Sequence, residues 1–492
     1  MRKIVLNIFL FASTVFMGQT KNTLLDSNFW KKYPDVIAVQ AEIAKGNDPS
    51  ESNASAMDAV TLAINNGASN EVVKFLLTQK GNEINKPTHD ERIYLHWATA
   101  KGNIELVNHL IGKGADINRE DHNQVSPLVY GLASGQVSLP ILEAYVKAGL
   151  DLKKRYKNNA NLIMLAVAYD KDLSITQYLV SKGLAIKDVD TEGNTVFNYA
   201  TRTGNIANLK ALLAQGVKYT PNALIIASEA TRRTANSLEL YKYLVEELKI
   251  NPKTLSTSGQ TVLHNIVRKE NQSEIVNYFL EKGVEVTKKD ADGVTALHVL
   301  AIGKEVALLE KLLSKGAILE EKNAKGETAL TYAVKTASLD MIAALIQAGA
   351  NVQVVDNENQ GLLYHLIQNY RVPRTGNDEF LAKLNLLKEK GLSIVAPQKD
   401  DNTLYHLAIV KNDLNLLKKL EGLGIAINAK NKEGLTLLHK AALLAKDDAI
   451  LKYVLSLGAD KSIKTEFDET AYDLAKENEV LKKNQVNIEF LK

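Results

Sequence analysis

Residues 293–317 read GVTALHVLAIGKEVALLEKLLSKGA, and residues 326–350 repeat the pattern as GETALTYAVKTASLDMIAALIQAGA. Each copy has a Thr followed by two apolar residues, and later two large apolar residues followed by Gly-Ala. The phrase returns about every 33 residues along most of the chain, which indicates a stack of small structural repeats. A stack of this kind offers a long surface for binding without an active-site cleft.

The repeat phase can be followed through most of the 492 residues. We place thirteen units, which begin at Asp58, Ile93, Ser126, Asn161, Thr195, Asn222, Thr261, Thr295, Thr328, Leu362, Thr403, Thr436 and Thr470. Some of these units are degenerate, since those at Asp58, Asn161 and Asn222 keep the apolar spacing but lose the Thr and His. Each unit of such an array contacts only its neighbours, so we expect one elongated domain.

One unit is predicted to contain a turn and two short helices. Asp290-Ala291-Asp292-Gly293 has the composition of a tight turn, and Thr295 can cap the helix that follows it. A second helical stretch, Glu305 to Ser314, places its leucines at helical spacing, and Gly316 ends it. We expect both residues of each Leu-Leu pair to lie in the core. Isolated helices below about 12 residues are marginal in water, so stacking has to supply the stability.

The two ends of the array are expected to carry caps, because an open stack has to shield its terminal apolar faces. We assign residues 1–19 to a signal peptide, 20–57 to an N-terminal capping segment, 58–465 to the repeat array and 466–492 to a C-terminal capping repeat. The stretch from Val36 to Ala44 looks like the second helix of a degenerate first repeat.

The first residues predict export from the cytoplasm. Met1-Arg2-Lys3 precedes an uncharged, mostly apolar run from Ile4 to Met17, and polar residues resume at Gln19, which is the layout of a secretory signal peptide. No later segment approaches ~20 uncharged apolar residues, so we expect no stable membrane anchor. The predicted location is the periplasm or the outside of the cell.

Composition excludes several classes of function. The chain has no Cys, which rules out disulfides, thiolate metal sites, cysteine nucleophiles and attachment of lipid to Cys. A net charge of +3 gives no support to a nucleic-acid partner. Phosphate-binding, dinucleotide-binding, zinc-protease and nucleophile-elbow motifs are missing from the sequence. We expect no enzyme activity, no cofactor and no metal.

The recurring histidines are interpreted as structural. They are His96, His264, His298, His365, His406 and His439, and we take each to occupy the same position of its unit. Neighbouring copies should lie about a repeat apart, too far for shared ligation of one ion at ~2 Å bonds. The acidic stretch Asp188 to Glu192 is rejected as a calcium loop, because the twelfth position is Tyr199 and not Glu.

The phrase Gly-x-Thr-x-Leu-His-x-x-Ala, followed by Leu-Leu-x-x-Gly-Ala, resembles the ankyrin repeat from residue 58 to about 480. The resemblance implies an all-α solenoid of about 13 helix-turn-helix units with capping repeats. It also implies projecting turn fingers, a concave binding groove, and histidines that hydrogen-bond the backbone near the turn. The proline that the family has at its second position occurs only as Pro127.

Two units break the period, and they supply the candidate binding residues. In the unit at Leu362 these are Tyr370, Arg371, Arg374 and Phe380; after Ala227 they are Arg232 and Arg233. Aromatic and Arg side chains on exposed loops are enriched at interface hot spots, whereas a tolerated loop insertion is the alternative. The finger tips form a second candidate surface of mixed charge.

Three functional hypotheses follow. The first is an exported, non-enzymatic, monomeric scaffold that binds one or more proteins; similarity to some exported bacterial ankyrin proteins suggests an accessory factor in oxidative-stress defence. The second is an exported effector or enzyme with a composite site in the irregular repeats. The third is a binder of small ligands or envelope polymers. A concavity lined by aromatic side chains would favour it, but aromatic residues make up only 6% of the chain.

Overall fold

The computed structural model describes residues 22–231, 235–373 and 377–492. These residues form 28 α-helices, and their only β-type pairing consists of three isolated bridges. The predicted all-α fold is confirmed. From Ala59 onward the helices follow one another as thirteen pairs, the number of units that the sequence predicts.

The bounds of the helices are as follows. Helices α1 to α12 span Ser27–Trp30, Val36–Ala44, Ala59–Asn66, Asn70–Leu77, Tyr94–Ala100, Ile104–Gly112, Pro127–Ser134, Leu139–Lys147, Leu162–Ala166, Ser174–Ser181, Val196–Ala200 and Ile206–Ala214. Helices α13 to α28 span Asn222–Glu229, Leu238–Lys242, Val262–Ile266, Ser273–Glu281, Ala296–Leu300, Ala307–Ser314, Ala329–Thr336, Leu339–Gln347, Leu362–Gln368, Phe380–Glu389, Leu404–Ile409, Leu414–Lys419, Leu437–Leu444, Ala449–Ser456, Ala471–Glu477 and Glu479–Lys483. Short 3-10 turns occur at Thr23–Leu25, His89–Glu91, Lys157–Asn159, Val167–Tyr169, Lys399–Asp401 and Glu489–Leu491, and a π-helical turn at Tyr243–Glu247.

Contacts divide the chain into two compact units. Among the described residues, the N-unit comprises those that fall within Met1–Ala200 and Ala207–Lys218, and the C-unit those within Thr201–Ile206 and Tyr219–Lys492. In the N-unit the first helices of successive repeats, α3, α5, α7, α9 and α11, pack on one another in chain order. In the C-unit the first helices from α13 to α27 do the same. Each unit is therefore a stack of repeats.

The core of a repeat is made by both of its helices. In the repeat that begins at Thr295, Leu300 of the first helix and Leu308 and Leu312 of the second are fully buried. The first helix, Ala296–Leu300, has only five residues. A helix of this length has little stability of its own, so burial against the neighbouring repeats keeps it folded.

The expectation that both residues of each Leu-Leu pair are core is wrong for the second residue of the pairs that precede Gly-Ala. Leu312 is buried but Leu313 is half-exposed, and Leu345 and Ile346 differ in the same way. Consecutive helical residues point about 100° apart, and in these two pairs only the first residue faces the core directly, whereas Leu308 and Leu309 are both buried.

Two predicted unit starts are displaced by one residue. Asn222 and Leu362 are the first residues of α13 and α21, and the residues that cap these helices are Pro221 and Gly361. In the regular repeats the predicted residue is itself the cap, as at Thr295 and Thr328. The displacement at Gly361 matters because it changes which side chain of α21 faces the turn.

At the ends of the chain, short helices pack on the flanking repeats. Helix α1 contacts α3, α2 contacts α4, and α28 contacts α27. Trp30 is fully buried, and its indole N–H donates to the carbonyl of Leu24 at 2.8 Å. The assigned boundaries at residues 57 and 465 remain predictions. In residues 22–231, 235–373 and 377–492, every helix is too short or too polar to traverse a bilayer.

Leu312 and Leu313 form a matched pair for testing the packing. We expect Leu312→Ala to lower the free energy of unfolding by about 2–5 kcal/mol, because it leaves a cavity among buried side chains. Leu313→Ala should cost clearly less, since its side chain is already partly exposed. Urea unfolding of both variants measures the difference, and equal losses would contradict the assignment of the core.

Candidate protein-binding surface

The turn between repeats is held by one short polar side chain. In the finger Asp290–Val294, Asp290 Oδ1 accepts hydrogen bonds from the N–H groups of Asp292, at 3.0 Å, and Val294, at 2.9 Å. Asn323 accepts in the same way from Lys325 and Glu327. Asp and Asn favour such turns because their side chains satisfy the local backbone donors.

Successive fingers in the C-unit are joined by backbone hydrogen bonds. The N–H of Ala291 donates to the carbonyl of Ser258 at 2.8 Å, and that of Ala324 to Asp292 at 2.8 Å. The N–H of Asn357 then donates to Lys325 at 2.9 Å. These three bonds connect four fingers, so their tips are held in fixed register.

A histidine ties the first helix of a repeat to the next finger. Nδ1 of His298 accepts from the N–H of Thr295 at 3.2 Å, and Nε2 lies 3.1 Å from the carbonyl of Glu327. A backbone N–H can only donate and a carbonyl can only accept, so the ring must be neutral with its proton on Nε2. The same pair of contacts occurs at His96, His264, His406 and His439.

Burial holds these rings in the neutral form. Desolvation lowers the pKa of His96 to about 4, against a smaller opposing effect of its hydrogen bond to Val125. Asp121 and Arg92 act on the ring with opposite signs. The pKa values of His264, His298, His406 and His439 are also lowered, in each case mainly by burial.

The finger tips are open to solvent. The exposed tip residues are His122, Asn123, Thr191, Glu192, Ala291, Asp292, Ala324, Lys325, Glu358, Asn359, Lys432 and Glu433. Acidic, basic and neutral side chains all occur among them, so the tips are mixed in charge, as the sequence indicates. The backbone of each finger is fixed by its own hydrogen bonds, so these side chains can be changed without removing the turn.

The first irregular segment is more buried than the sequence suggests. Tyr370 and Phe380 are 8% and 3% exposed, and their rings meet edge to face at 5.0 Å. The Tyr370 hydroxyl donates to Asp378 Oδ2 at 2.8 Å, and Lys419 Nζ lies 2.9 Å from the same oxygen. The expectation that both aromatic side chains stand on an exposed loop is therefore wrong, since they anchor the segment to the core.

Of the other candidates in these segments, Arg371 is exposed, and it is followed by the exposed Val372. Arg374, Arg232 and Arg233 lie outside the described residues. After the second irregular segment, Tyr241 lies on α14 and Tyr243 begins the π-helical turn that follows, and both side chains are buried. A binding role for any of these residues stays a prediction.

A surface pocket of about 360 Å³ lies in the N-unit beside the end of α3. It is lined by Ile64, Asn65, Asn66, Gly67, Ala68, Val73, Lys101, Asn103 and Leu106. The one titratable side chain in this lining is Lys101, whose Nζ donates to the carbonyl of Asn65 at 2.7 Å. The lining offers no acid–base pair and so does not supply the composite active site of the alternative hypothesis.

His365 differs from the other histidines, and sequence reasoning missed the difference. It is the fourth residue after its cap, Gly361, whereas His298 is the third after Thr295. Its Nε2 lies 3.1 Å from Asp356 Oδ2, and the carboxylate of Glu327 is close by. The interpretation that all six histidines share one position is wrong here. The sequence signal for this difference is the displaced cap, because the third residue after Gly361 is Tyr364 and not His365.

The comparison with known families decides the identity of the fold. A family model described as "Ankyrin repeats (3 copies)" matches residues 32–121, 130–223 and 263–356, more than half of the chain. This chain is an ankyrin repeat protein. The family predicted from the Thr-x-Leu-His and Leu-Leu-x-x-Gly-Ala phrases is confirmed. Ankyrin repeats are protein-interaction scaffolds, and the family is generally non-enzymatic.

Individual relatives match over shorter stretches. The putative ankyrin repeat protein FPV244 of Fowlpox virus (strain NVSL) is 27% identical over 27% of this chain and 19% of its own length. The human transient receptor potential cation channel subfamily A member 1 is 26% identical over 44% of this chain and 20% of its own. The chain thus spans about a fifth of these two relatives. The solved ankyrin repeat domain of Bcl-3 aligns with 46% of this chain and 99% of that chain, at 23% identity and a TM-score of 0.36.

The neutral histidines predict that acid destabilises this ankyrin protein. A pKa that is lowered on folding means that the unfolded state binds more protons below pH 6.5, so stability falls as pH drops from 6.5 towards about 4. His96 should contribute about 1.4 kcal/mol per pH unit in the lower part of this window. Thermal unfolding at pH 7, 6 and 5 measures the slope.

An exposed histidine serves as the control for this pH effect. His96→Gln should flatten the fall in melting temperature between pH 6.5 and 5, whereas His122→Gln, at a finger tip, should leave it unchanged. Identical slopes for His96→Gln and the unsubstituted protein would contradict the neutral-ring assignment.

Proposed function

We propose that this ankyrin protein is an exported scaffold that acts as a monomer and binds partner proteins through the finger tips and adjoining first helices of the C-unit. The observation that carries the proposal is the hydrogen-bonded row of fingers from Ser258 to Asn357. A surface that is fixed before binding loses little conformational entropy when a partner docks.

The charge of the tips supports protein partners of mixed polarity. Asp292, Lys325 and Glu358 are exposed on three successive fingers and alternate in sign. Such a pattern has little attraction for a polyanion, but it gives register and specificity against a protein with the complementary pattern. Arg371 and Val372 extend the proposed contact beyond the regular fingers.

We place this scaffold in the periplasm or outside the cell, on the pattern of residues 1–19. The basic start, the uncharged apolar run and the polar continuation support export, and residues 1–21 lie outside the described residues. A finer form of the proposal makes the partner a component of oxidative-stress defence. Its support is the resemblance to exported bacterial ankyrin proteins, and a catalase among the captured proteins is the result that would bear it out.

Charge reversal at the tips tests the binding surface. Asp292→Arg, Lys325→Glu and Glu358→Arg together should weaken partner capture by about tenfold or more, because each reversed tip charge then faces a partner charge of the same sign. The backbone hydrogen bonds that join the fingers are not altered by these substitutions. The measurement is affinity capture from the native compartment, with the bound proteins identified and quantified by mass spectrometry.

A matched control changes the same charges elsewhere on the C-unit. Lys315→Glu, Glu281→Arg and Glu389→Arg alter exposed residues at the ends of second helices and produce the same net charge change. This control should capture as well as the unsubstituted protein. Equal capture by both triple variants would place the binding surface elsewhere.

Export has its own test. Leu10→Arg puts a charge into the apolar run, and we expect the substituted chain to stay in the cytoplasm at full length. The unsubstituted chain should appear in the periplasm or medium with its N-terminus near residue 19. An exported protein that keeps Met1-Arg2-Lys3 would contradict the assignment.

A further inference from the structure

The junction between the repeats at Thr328 and Gly361 places a histidine against two carboxylates. His365 is the fourth residue after its cap, and in some other repeats the side chain at this position meets the finger residue five before the cap. Elsewhere these two positions meet as Tyr199 with Asp190, at 2.9 Å, and as Tyr332 with Asn323, at 3.0 Å. Here they are His365 and Asp356, with Nε2 and Oδ2 3.1 Å apart.

Asp356 is held with one oxygen directed at the ring. Its Oδ1 accepts from the N–H groups of Glu358 and Gln360, both at 2.9 Å, so the turn fixes the side chain. Oδ2 is left to face His365. The turn therefore presents a preorganised monodentate carboxylate.

Glu327 of the preceding finger completes the group. One oxygen of Glu327, one of Asp356 and one ring nitrogen of His365 all lie within 4.8 Å of one another. The side chains are nearly inaccessible to solvent, at 7%, 7% and 6% exposure. Two ligands bound to one ion at 2.0–2.1 Å with tetrahedral angles lie about 3.3 Å apart, close to the separation of Oδ2 and Nε2.

The buried ring nitrogen is the observation that points to a ligand. His365 Nε2 makes no hydrogen bond of regular geometry in the described part of the chain, although Asp356 Oδ2 lies 3.1 Å away. At the five regular junctions the same nitrogen meets a backbone carbonyl. A buried polar atom without a partner is costly, and an ion at the centre of the three side chains would satisfy it.

A lysine already occupies part of this space. Lys335 Nζ pairs with Glu327 Oε1, and Asn323 Nδ2 donates to Glu327 Oε2 at 3.2 Å. The Lys335 side chain is 23% exposed, and its flexible stem lets the ammonium move to solvent. A cation that binds Glu327 has to displace it, so Lys335 acts as a competitor.

We propose that Glu327, Asp356 and His365 bind a divalent transition-metal cation such as Zn²⁺. One imidazole nitrogen and two carboxylate oxygens suit Zn²⁺ and its first-row neighbours, whereas Ca²⁺ and Mg²⁺ prefer oxygen ligands alone. The ligands come from two adjacent repeats, so the bound ion joins them. Three protein ligands leave a fourth position for water or for a side chain of a partner protein.

Metal titration of the full chain tests the site. After treatment with chelator, the protein is titrated with ZnCl₂ by calorimetry, and CoCl₂ is followed by visible absorption for tetrahedral coordination. We expect one equivalent to bind and the melting temperature to rise. His365→Gln and Asp356→Asn should each weaken binding by about tenfold or more, and Asn at 356 keeps the oxygen that the turn needs.

Two further variants separate this site from adventitious binding. Lys335→Met removes the competing ammonium and should tighten Zn²⁺ binding, which a purely structural ion pair does not predict. His122→Gln, at an exposed tip, should change nothing. Circular dichroism in the presence of chelator checks that each variant is folded. If His365→Gln does not fold, the Zn²⁺ affinities of Asp356→Asn and Lys335→Met test the proposal.

The proposal is overturned by any of three results: no saturable binding to the unsubstituted protein, unchanged affinity in folded Asp356→Asn, or no tightening in Lys335→Met. None of these results bears on partner capture, which depends on the finger tips.

Discussion

Burial between neighbouring repeats is the interaction on which the rest of this structure depends. Helices of five to nine residues, such as α17 and α20, do not persist alone in water. Leu312 and Leu345 are fully buried, and no single pair of helices could cover them. Because each repeat is stable only on its neighbours, a side chain that joins two repeats affects both of them.

The polar groups at the junctions follow from the same constraint. Stacking buries the ends of the first helices together with their unpaired N–H groups, and these have to be satisfied inside the protein. Thr295 and His298 do this within the repeat, and His298 also reaches the next finger. This contact is available only to a neutral ring, so repeat stacking and the low pKa of the histidines have one cause.

The irregular junction at Gly361 shows what happens when one element of this arrangement moves. The cap lacks a side chain, and the histidine stands one position later, so its ring faces Asp356 and Glu327. A displacement of one residue turns a helix position by about 100°. A histidine that would otherwise hydrogen-bond the backbone of the next finger therefore lies beside two carboxylates. A shift of one residue at a cap thus changes which polar groups meet at a junction while the helices on either side still stack.

The sequence by itself determined the all-α class, the thirteen helix pairs, the ankyrin family and the role of five histidines, because each rests on a local pattern that recurs in phase. It did not determine which residue of Leu312-Leu313 is buried, which depends on how the helix is rotated against its neighbours, nor that Tyr370 and Phe380 are anchors, which depends on how the irregular segment packs. The cluster at His365 likewise required the tertiary structure. Its members come from two repeats, and only packing decides which side chains of different repeats share one space.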